Sequence, residues 1–229
     1  MTAPVLAVVE HEADCPLGLF AGWFAATGAD VRVARPYRGD AVPDLAGADA
    51  LVVLGGSMGA GDDDVAPWLP ATRALLREAV AAAVPTLGIC LGHQMLVAAC
   101  GGRIEANAAG RQQGLLPVGW APAAGSEHLF GGVRAAARSL QWNDDVAVAL
   151  PPATEVLAAT PEGIPQAIRV GDAAWGVQFH PEVDARIIAR WAKDAPVDAR
   201  TVAEVRAAEP ELIATWRPLA ERFAAIASQ

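Results

Sequence analysis

In the N-terminal half of the chain, short β-branched runs alternate with alanine-rich stretches of helical character. Val5 to Val9, Val31 to Val33 and Leu51 to Leu54 read as strands, with a helix around Leu17 to Thr27 between the first two. Trp68 to Ala83 sets Leu69, Leu75, Leu76 and Val80 along one stripe, which predicts an amphipathic helix. Val84 to Ile89 follows as a near-continuous apolar run, the pattern of a central parallel strand covered on both faces. Strands and helices alternating in this order predict an α/β fold, an open and mostly parallel sheet flanked by helices.

Beyond Gly101-Gly102 the pattern changes. Leu115 to Trp120, Ser139 to Trp142, Glu155 to Ala158 and Gln166 to Val170 are short and separated by proline and glycine. With Pro151-Pro152 marking a turn, they predict a small additional β extension, antiparallel or mixed. From Asp184 helical spacing returns in Ile187, Ile188 and Trp191; Pro196 predicts a break, followed by Val202, Val205 and a last helix holding Leu219, Phe223 and Ile226. No internal repeat or low-complexity linker divides the chain. One domain over residues 1–190 is expected, with residues 191–229 as a helical extension packed on it.

Composition narrows the function. With 229 residues, 53% of them hydrophobic, the chain can bury one sizeable core. Met1-Thr2-Ala3-Pro4 leads into the first strand without a basic segment, and Glu10-His11-Glu12 cut the apolar run short, so secretion is not expected. The longest apolar stretch, Ala79 to Cys100, is interrupted by Pro85, His93, Gln94 and glycines, which argues against a membrane span. A net charge of −9 supplies no basic stripe for a phosphate backbone, so nucleic acid is not an expected partner. Cys15, Cys90 and Cys100 are odd in number and lack C-x-x-C or histidine spacing, which argues against a disulfide framework and a zinc site. A reducing, cytoplasmic location fits them. Asp62-Asp63-Asp64, the one charge run, reads as a solvated loop or helix cap.

The chemistry is concentrated in two segments. Thr86-Leu87-Gly88-Ile89-Cys90-Leu91-Gly92-His93-Gln94 reads as a buried strand running into a helix with a cysteine at the corner. Such an elbow needs small residues beside the nucleophile because its backbone is sharply bent and crowded, and Gly88 and Gly92 supply them. Cysteine reacts as the thiolate, the form favoured by a helix N-terminus or a nearby imidazolium. Far along the chain, Trp175-Gly176-Val177-Gln178-Phe179-His180-Pro181-Glu182 is an apolar strand ending in a histidine and a carboxylate. Residues two apart in extended chain share a side, so Glu182 can hold one imidazole nitrogen of His180 while the other faces a nucleophile.

Together, Gly88-Ile89-Cys90-Leu91-Gly92-His93-Gln94 and Phe179-His180-Pro181-Glu182 resemble the class I glutamine amidotransferases, and within them a stand-alone glutaminase like that of GMP synthase. Leu51-Val52-Val53-Leu54-Gly55-Gly56-Ser57-Met58-Gly59 is similar to the family's strand and glycine loop, so the resemblance covers roughly residues 5 to 190. It implies a flavodoxin-like fold and a Cys90, His180, Glu182 triad. It also implies an oxyanion hole from the backbone N–H groups of Gly56 and Leu91, and substrate contacts from Gly55, Gln94, Asn143 and Asp145. No cofactor or metal is expected. The implied reaction is glutamine hydrolysis through a γ-glutamyl thioester on Cys90, with ammonia passed to a separate synthetase, since no G-x-x-x-x-G-K-[ST] loop or further module is present. A γ-glutamyl hydrolase or peptidase using the same triad, or a catalytically idle partner-binding member of the fold, are the alternatives. His93 and Cys100 are expected to be structural.

Two stretches depart from the family pattern. Many relatives carry a Trp-His-Gly-Asp-like segment that holds the α-amino and α-carboxylate groups of glutamine, whereas here it reads Trp142-Asn143-Asp144-Asp145. Asn-Asp-Asp also reads almost as well as a surface turn. Arg111-Gln112-Gln113-Gly114 stands where many relatives have a glutamate before the glycine.

Overall fold

The computed structural model describes residues 3–194 and 199–229, with side chains described through residue 192 and again from 199. The expected break at Pro196 and the first two residues lie outside the described residues. The chain runs β1 (Val5–Val9), α1 (Leu19–Ala26), β2 (Asp30–Ala34), β3 (Ala50–Val53), α2 (Leu69–Ala81), β4 (Thr86–Ile89) and α3 (Leu91–Ala99). There follow β5 (Arg103–Ala106), β6 (Gln112–Pro117), β7 (Arg138–Asn143), β8 (Asp145–Ala149), β9 (Thr154–Ala159), β10 (Pro165–Val170), β11 (Ala174–Val177), α4 (Ala185–Asp194) and α5 (Ala199–Ala227).

Seven strands form one sheet in the order β2-β1-β3-β4-β11-β10-β9. The pairs from β2 through β11 are parallel, and β10 and β9 close the edge antiparallel. This is the expected α/β architecture. Every residue of β3, β4 and β11 is buried, as near-continuous apolar runs demand of strands sandwiched between helices. One face packs on α2 and α3 through Leu69, Leu76, Met95 and Leu96. The other packs on α1 and α5, where Phe24 meets Phe223 at 6.2 Å between ring centroids and Phe179 meets Trp216 at 5.1 Å. Among the described residues no helix is long and apolar enough to cross a membrane.

The C-terminal half differs from expectation in detail. The Glu155 and Gln166 segments join the main sheet as β9 and β10, because β9, β10 and β11 are consecutive and short turns can link them only as antiparallel neighbours. The extension is instead two separate pairs, β5 with β8 and β6 with β7. Neither β5 nor β8 was anticipated; β5 is largely exposed and carries almost no apolar signal. Strand β6 begins three residues before the expected start because Gln112 and Gln113 pair with Asn143 and Trp142, polar positions that hydrophobicity does not mark. Val202, Val205 and the Leu219 stretch lie on one helix, α5, which continues through Pro210 and Pro218.

The elbow is packed as tightly as its glycines suggest. A Cβ on Gly88 would stand 2.6 Å from the Gly92 carbonyl oxygen, and one on Gly92 would stand 2.0 Å from the Val53 oxygen, both far inside contact distance. Helix α3 therefore crosses β3 and β4 with no room for a methyl group. Gly92→Ala is expected to lower stability by about 1–3 kcal/mol or more, because backbone must move to relieve the overlap. Gly22→Ala, on the exposed face of α1 with nothing within 4 Å of the new methyl, is expected to raise it by about 0.5–1 kcal/mol. Urea melts of the two variants check the contrast.

Candidate active site

Strand β4 ends at Ile89 and α3 begins at Leu91, so Cys90 alone turns the chain, with φ 51° and ψ −104°. A non-glycine residue there is strained by about 1–3 kcal/mol, which the surroundings must hold. They do so through the Cys90 N–H, which donates to the Val177 oxygen at 2.8 Å, and the Cys90 carbonyl, which accepts from the Gln94 N–H at 3.0 Å. The sulfur is thereby placed at the carboxyl edge of the sheet, where parallel α/β folds open a crevice.

Strand β11 runs beside β4 with Val177 opposite Ile89. The chain beyond it stays extended, and the His180 N–H donates to the Leu140 oxygen at 2.9 Å. Phe179 points into the core while His180 turns toward the elbow. The His180 Nδ1–H donates to Glu182 Oε1 at 2.8 Å, with both side chains buried. The ring's remaining edge is within hydrogen-bonding reach of Cys90. Burial alone would pull the imidazole pKa down, but the Glu182 carboxylate and then Cys90 outweigh it, so His180 holds its proton above its ordinary range. Trp191 of α4 packs edge-on against the ring at 4.8 Å and is itself pinned by donating to the Asp14 carbonyl at 2.7 Å.

The glycine loop after β3 closes the other side. A Cβ on Gly55 would lie 3.2 Å from His180 Cε1 and 3.7 Å from Cys90 Cβ, so glycine lets the loop approach both. Gly56 lies against the Leu91 side chain, and among the described residues neither the Gly56 nor the Leu91 N–H meets a backbone acceptor. All of this borders a cavity of about 400 Å³, whose walls include Cys90, His180, Gly56, Gln94, Asn143 and Asp145. Gly55 is not among the residues that line it. Gln94 and Asn143 reach the cavity, but their amide nitrogens are already used: both donate to the Asp145 carbonyl at 3.0 Å, and Asn143 also donates to Gln112 at 3.0 Å. The Asp145 carboxylate accepts no hydrogen bond among the described residues, and burial, then Asp144 and Asp62, raise its pKa.

Several wall residues carry no motif. Trp142 stacks under Arg111 at 5.1 Å, and Arg111 pairs with Asp144 at 3.3 Å. Cys15 donates to Glu12 at 3.1 Å, and Glu12 also accepts from Ser57 at 2.7 Å; burial first, then Glu12, holds the Cys15 thiol protonated. Gln178 was detectable by the two-residue alternation that links His180 to Glu182. Trp191 and Cys15 were not, because only the fold brings a helix and a loop to the site. Of the remaining residues, His93 is fully buried against Gly176 and burial lowers it to about 4, and His11 accepts from the Trp68 indole at 2.9 Å and is lowered likewise to about 4. Asp62 caps the loop by accepting from the Gly59 N–H at 2.7 Å, and Asp63 forks onto Arg73. Among the described residues no cluster of three or more His, Cys, Asp or Glu side chains could hold a metal ion.

Residues 23–189 match the sequence profile of glutamine amidotransferase class-I. The chain belongs to that family. A GMP synthase (glutamine-hydrolysing) from Thermus thermophilus is 39% identical over 102 residues, 44% of this chain and 19% of that one. The glutamine-hydrolysing GMP synthase of Sulfolobus acidocaldarius is divided into subunits, and one of them is 33% identical over 101 residues, covering 44% of this chain and 52% of that one. The chain thus spans about a fifth to a half of these relatives. The crystal structure of a glutamine amidotransferase from Thermotoga maritima superposes with a TM-score of 0.88 at 25% identity, covering 98% of this chain and 99% of that one. The superposition extends over the C-terminal helices as well.

The His180 to Glu182 contact has a measurable signature. A histidine whose folded pKa is raised adds stability that is complete below its ordinary 6.5 and disappears as pH rises through the raised value. In Glu182→Gln the imidazole loses its anionic partner. Its ring resonance, followed by NMR, is expected to titrate at lower pH than in the parent, and the alkaline loss of stability should shrink with it.

Proposed function

We propose that the chain is a glutaminase that hydrolyses the glutamine side-chain amide through a thioester on Cys90 and supplies ammonia to a separate synthetase. One observation carries the reading: a strained cysteine and a histidine, the latter backed by its buried carboxylate, meet at one cavity from segments some ninety residues apart. Family membership agrees with it, and the divided synthase of Sulfolobus supports a partner on another chain.

In this reading the Cys90 sulfur attacks the carboxamide carbon and the carbonyl electron pair moves onto oxygen. The Gly56 and Leu91 N–H groups meet that oxyanion, a donor of this kind being worth about 3 kcal/mol. His180 gives its proton to the departing ammonia as the carbon–nitrogen bond breaks, then takes one from the water that attacks the thioester, and glutamate leaves with the thiol restored. Glu182 orients the ring. The Asp145 carboxylate receives the substrate α-ammonium, while Gln94 and Asn143 hold the Asp145 backbone in place, with Gly55 giving clearance behind the triad. No cofactor takes part. We infer a cytoplasmic location from the three free cysteines, which suit a reducing compartment.

Cys90→Ala is expected to keep the fold and lower ammonia release from glutamine by about 10⁶-fold. Asp145→Asn is expected to raise KM by about tenfold or more while leaving kcat within a few-fold, because it removes a charged partner of bound substrate. Parallel assays with glutamine and a γ-glutamyl peptide decide the substrate. Turnover of the peptide alone would replace the ammonia-supplying reading with a γ-glutamyl hydrolase, and no alkylation of folded protein at Cys90 by a glutamine-like chloroketone would leave only a partner-binding role.

A further inference from the structure

Gln178 is fully buried beside the elbow. Its Nε2 donates to Cys90 Sγ at 3.7 Å, its Oε1 accepts from Gln94 Nε2 at 3.3 Å, and its backbone N–H donates to the Gln166 oxygen at 2.9 Å. We propose that Gln178 is a positioning residue that holds the Cys90 sulfur by an N–H donor and fixes Gln94 in the same hydrogen-bonded chain. The inference rests on the reading of Cys90 as the nucleophile.

The direction of this chain follows from one carbonyl. The Asp145 backbone oxygen can only accept, so the Gln94 side chain must turn its NH₂ toward it. That same NH₂ faces Gln178, which must present its oxygen there, leaving its own NH₂ toward the sulfur. Reversing either amide would set two donors or two acceptors against each other in a buried site, at the cost of unsatisfied polar groups. The groups facing the sulfur are then His180, backed by Glu182, from the β11 side, Gln178 from the same strand's exit, Cys15 with Glu12 from the loop after β1, and the N-terminus of α3. Among them Gln178 is a neutral donor that carries no titrating proton. Its N–H stays on the sulfur after His180 has handed its proton to the leaving group. An N–H on sulfur is strongest when the sulfur is anionic, so it favours the thiolate that attacks and the thiolate that leaves in thioester hydrolysis.

The test uses the full chain with Gln178→Met, which keeps the length and removes the donor, and Gln178→Glu, which keeps the shape and offers only acceptors when ionised. The rate of Cys90 alkylation by iodoacetamide is followed by mass spectrometry across pH, beside ammonia release. Gln178→Met is expected to move the half-maximal pH of alkylation up by about one unit, with Gln178→Glu moving it further in the same direction. A merely structural role would slow both reactions without moving the midpoint. An unmoved midpoint in folded Gln178→Met, with a reactive parent protein, overturns the proposal; a parent protein whose Cys90 neither alkylates nor releases ammonia overturns the nucleophile reading instead. Should the variants fail to fold, the side-chain NH₂ resonance of Gln178 in ¹⁵N-glutamine-labelled parent protein must shift over the pH range in which Cys90 alkylation rises, and a resonance that ignores that range overturns the proposal.

Discussion

The site depends on the parallel pairing of β4 with β11. That pairing sets Val177 opposite Ile89 and lets the Val177 carbonyl take the Cys90 N–H, so the same contact that closes the sheet also holds the strained turn. Everything with reactive chemistry is then delivered by three neighbouring strands at their carboxyl ends: β3 brings the glycine loop, β4 the sulfur, and β11 the glutamine and the histidine. A slip of one residue in β11 would turn Gln178 and His180 into the core and bring Phe179 to the sulfur, because side chains alternate along extended chain. Register is therefore the first determinant of the site, and the aromatic packing of Phe179 on Trp216 is what opposes such a slip.

This gives α5 a role that its distance in sequence from the triad conceals. Trp216 lies against Phe179, the residue between Gln178 and His180, and donates its indole N–H to the Arg138 carbonyl at the start of β7. Strand β7 in turn supplies the Leu140 carbonyl that accepts the His180 N–H. Helix, strand and imidazole are thus joined through one short series of contacts. Large buried aromatic groups dominate such packing energetically, which is why a C-terminal helix can fix the position of a ring it never touches.

How far the sequence revealed this can be traced residue by residue. The elbow was legible because its requirement is local: Gly88 and Gly92 are dictated by backbone crowding, and the overlaps a Cβ would make at each are those the motif anticipates. His180 and Glu182 were legible because a period of two is enough to pair them. The cavity wall was not, since Trp191, Cys15 and Glu12 reach it from a helix and a loop whose own periodicity says only that they are amphipathic or polar. Strand β5 escaped notice for the same kind of reason: a short edge strand in a two-stranded pair buries little, and burial is what makes a strand visible in sequence. The shifted start of β6 is more instructive, because its first residue, Gln112, is a polar amide that faces the amides of Asn143 and Gln166 rather than a hydrophobic core.

Those amides lie at the two stretches that depart from the pattern the resemblance implies. Asn143 stands where many relatives have histidine, and the Gln112-Gln113 pair stands where many have glutamate; in the fold Asn143 donates to Gln112 at 3.0 Å, and Gln112 also accepts from Gln166 at 3.3 Å. The two differences therefore meet in one hydrogen bond. That bond joins two neutral amides. Asn143 also braces the Asp145 carbonyl, from which the orientation of Gln94 and Gln178 follows. Arg111, which also lines the cavity, is committed to Asp144 and the Trp142 face. In this chain Asp145 consequently faces the cavity as an unneutralised carboxylate, the arrangement that a cationic ammonium group on a substrate would complete.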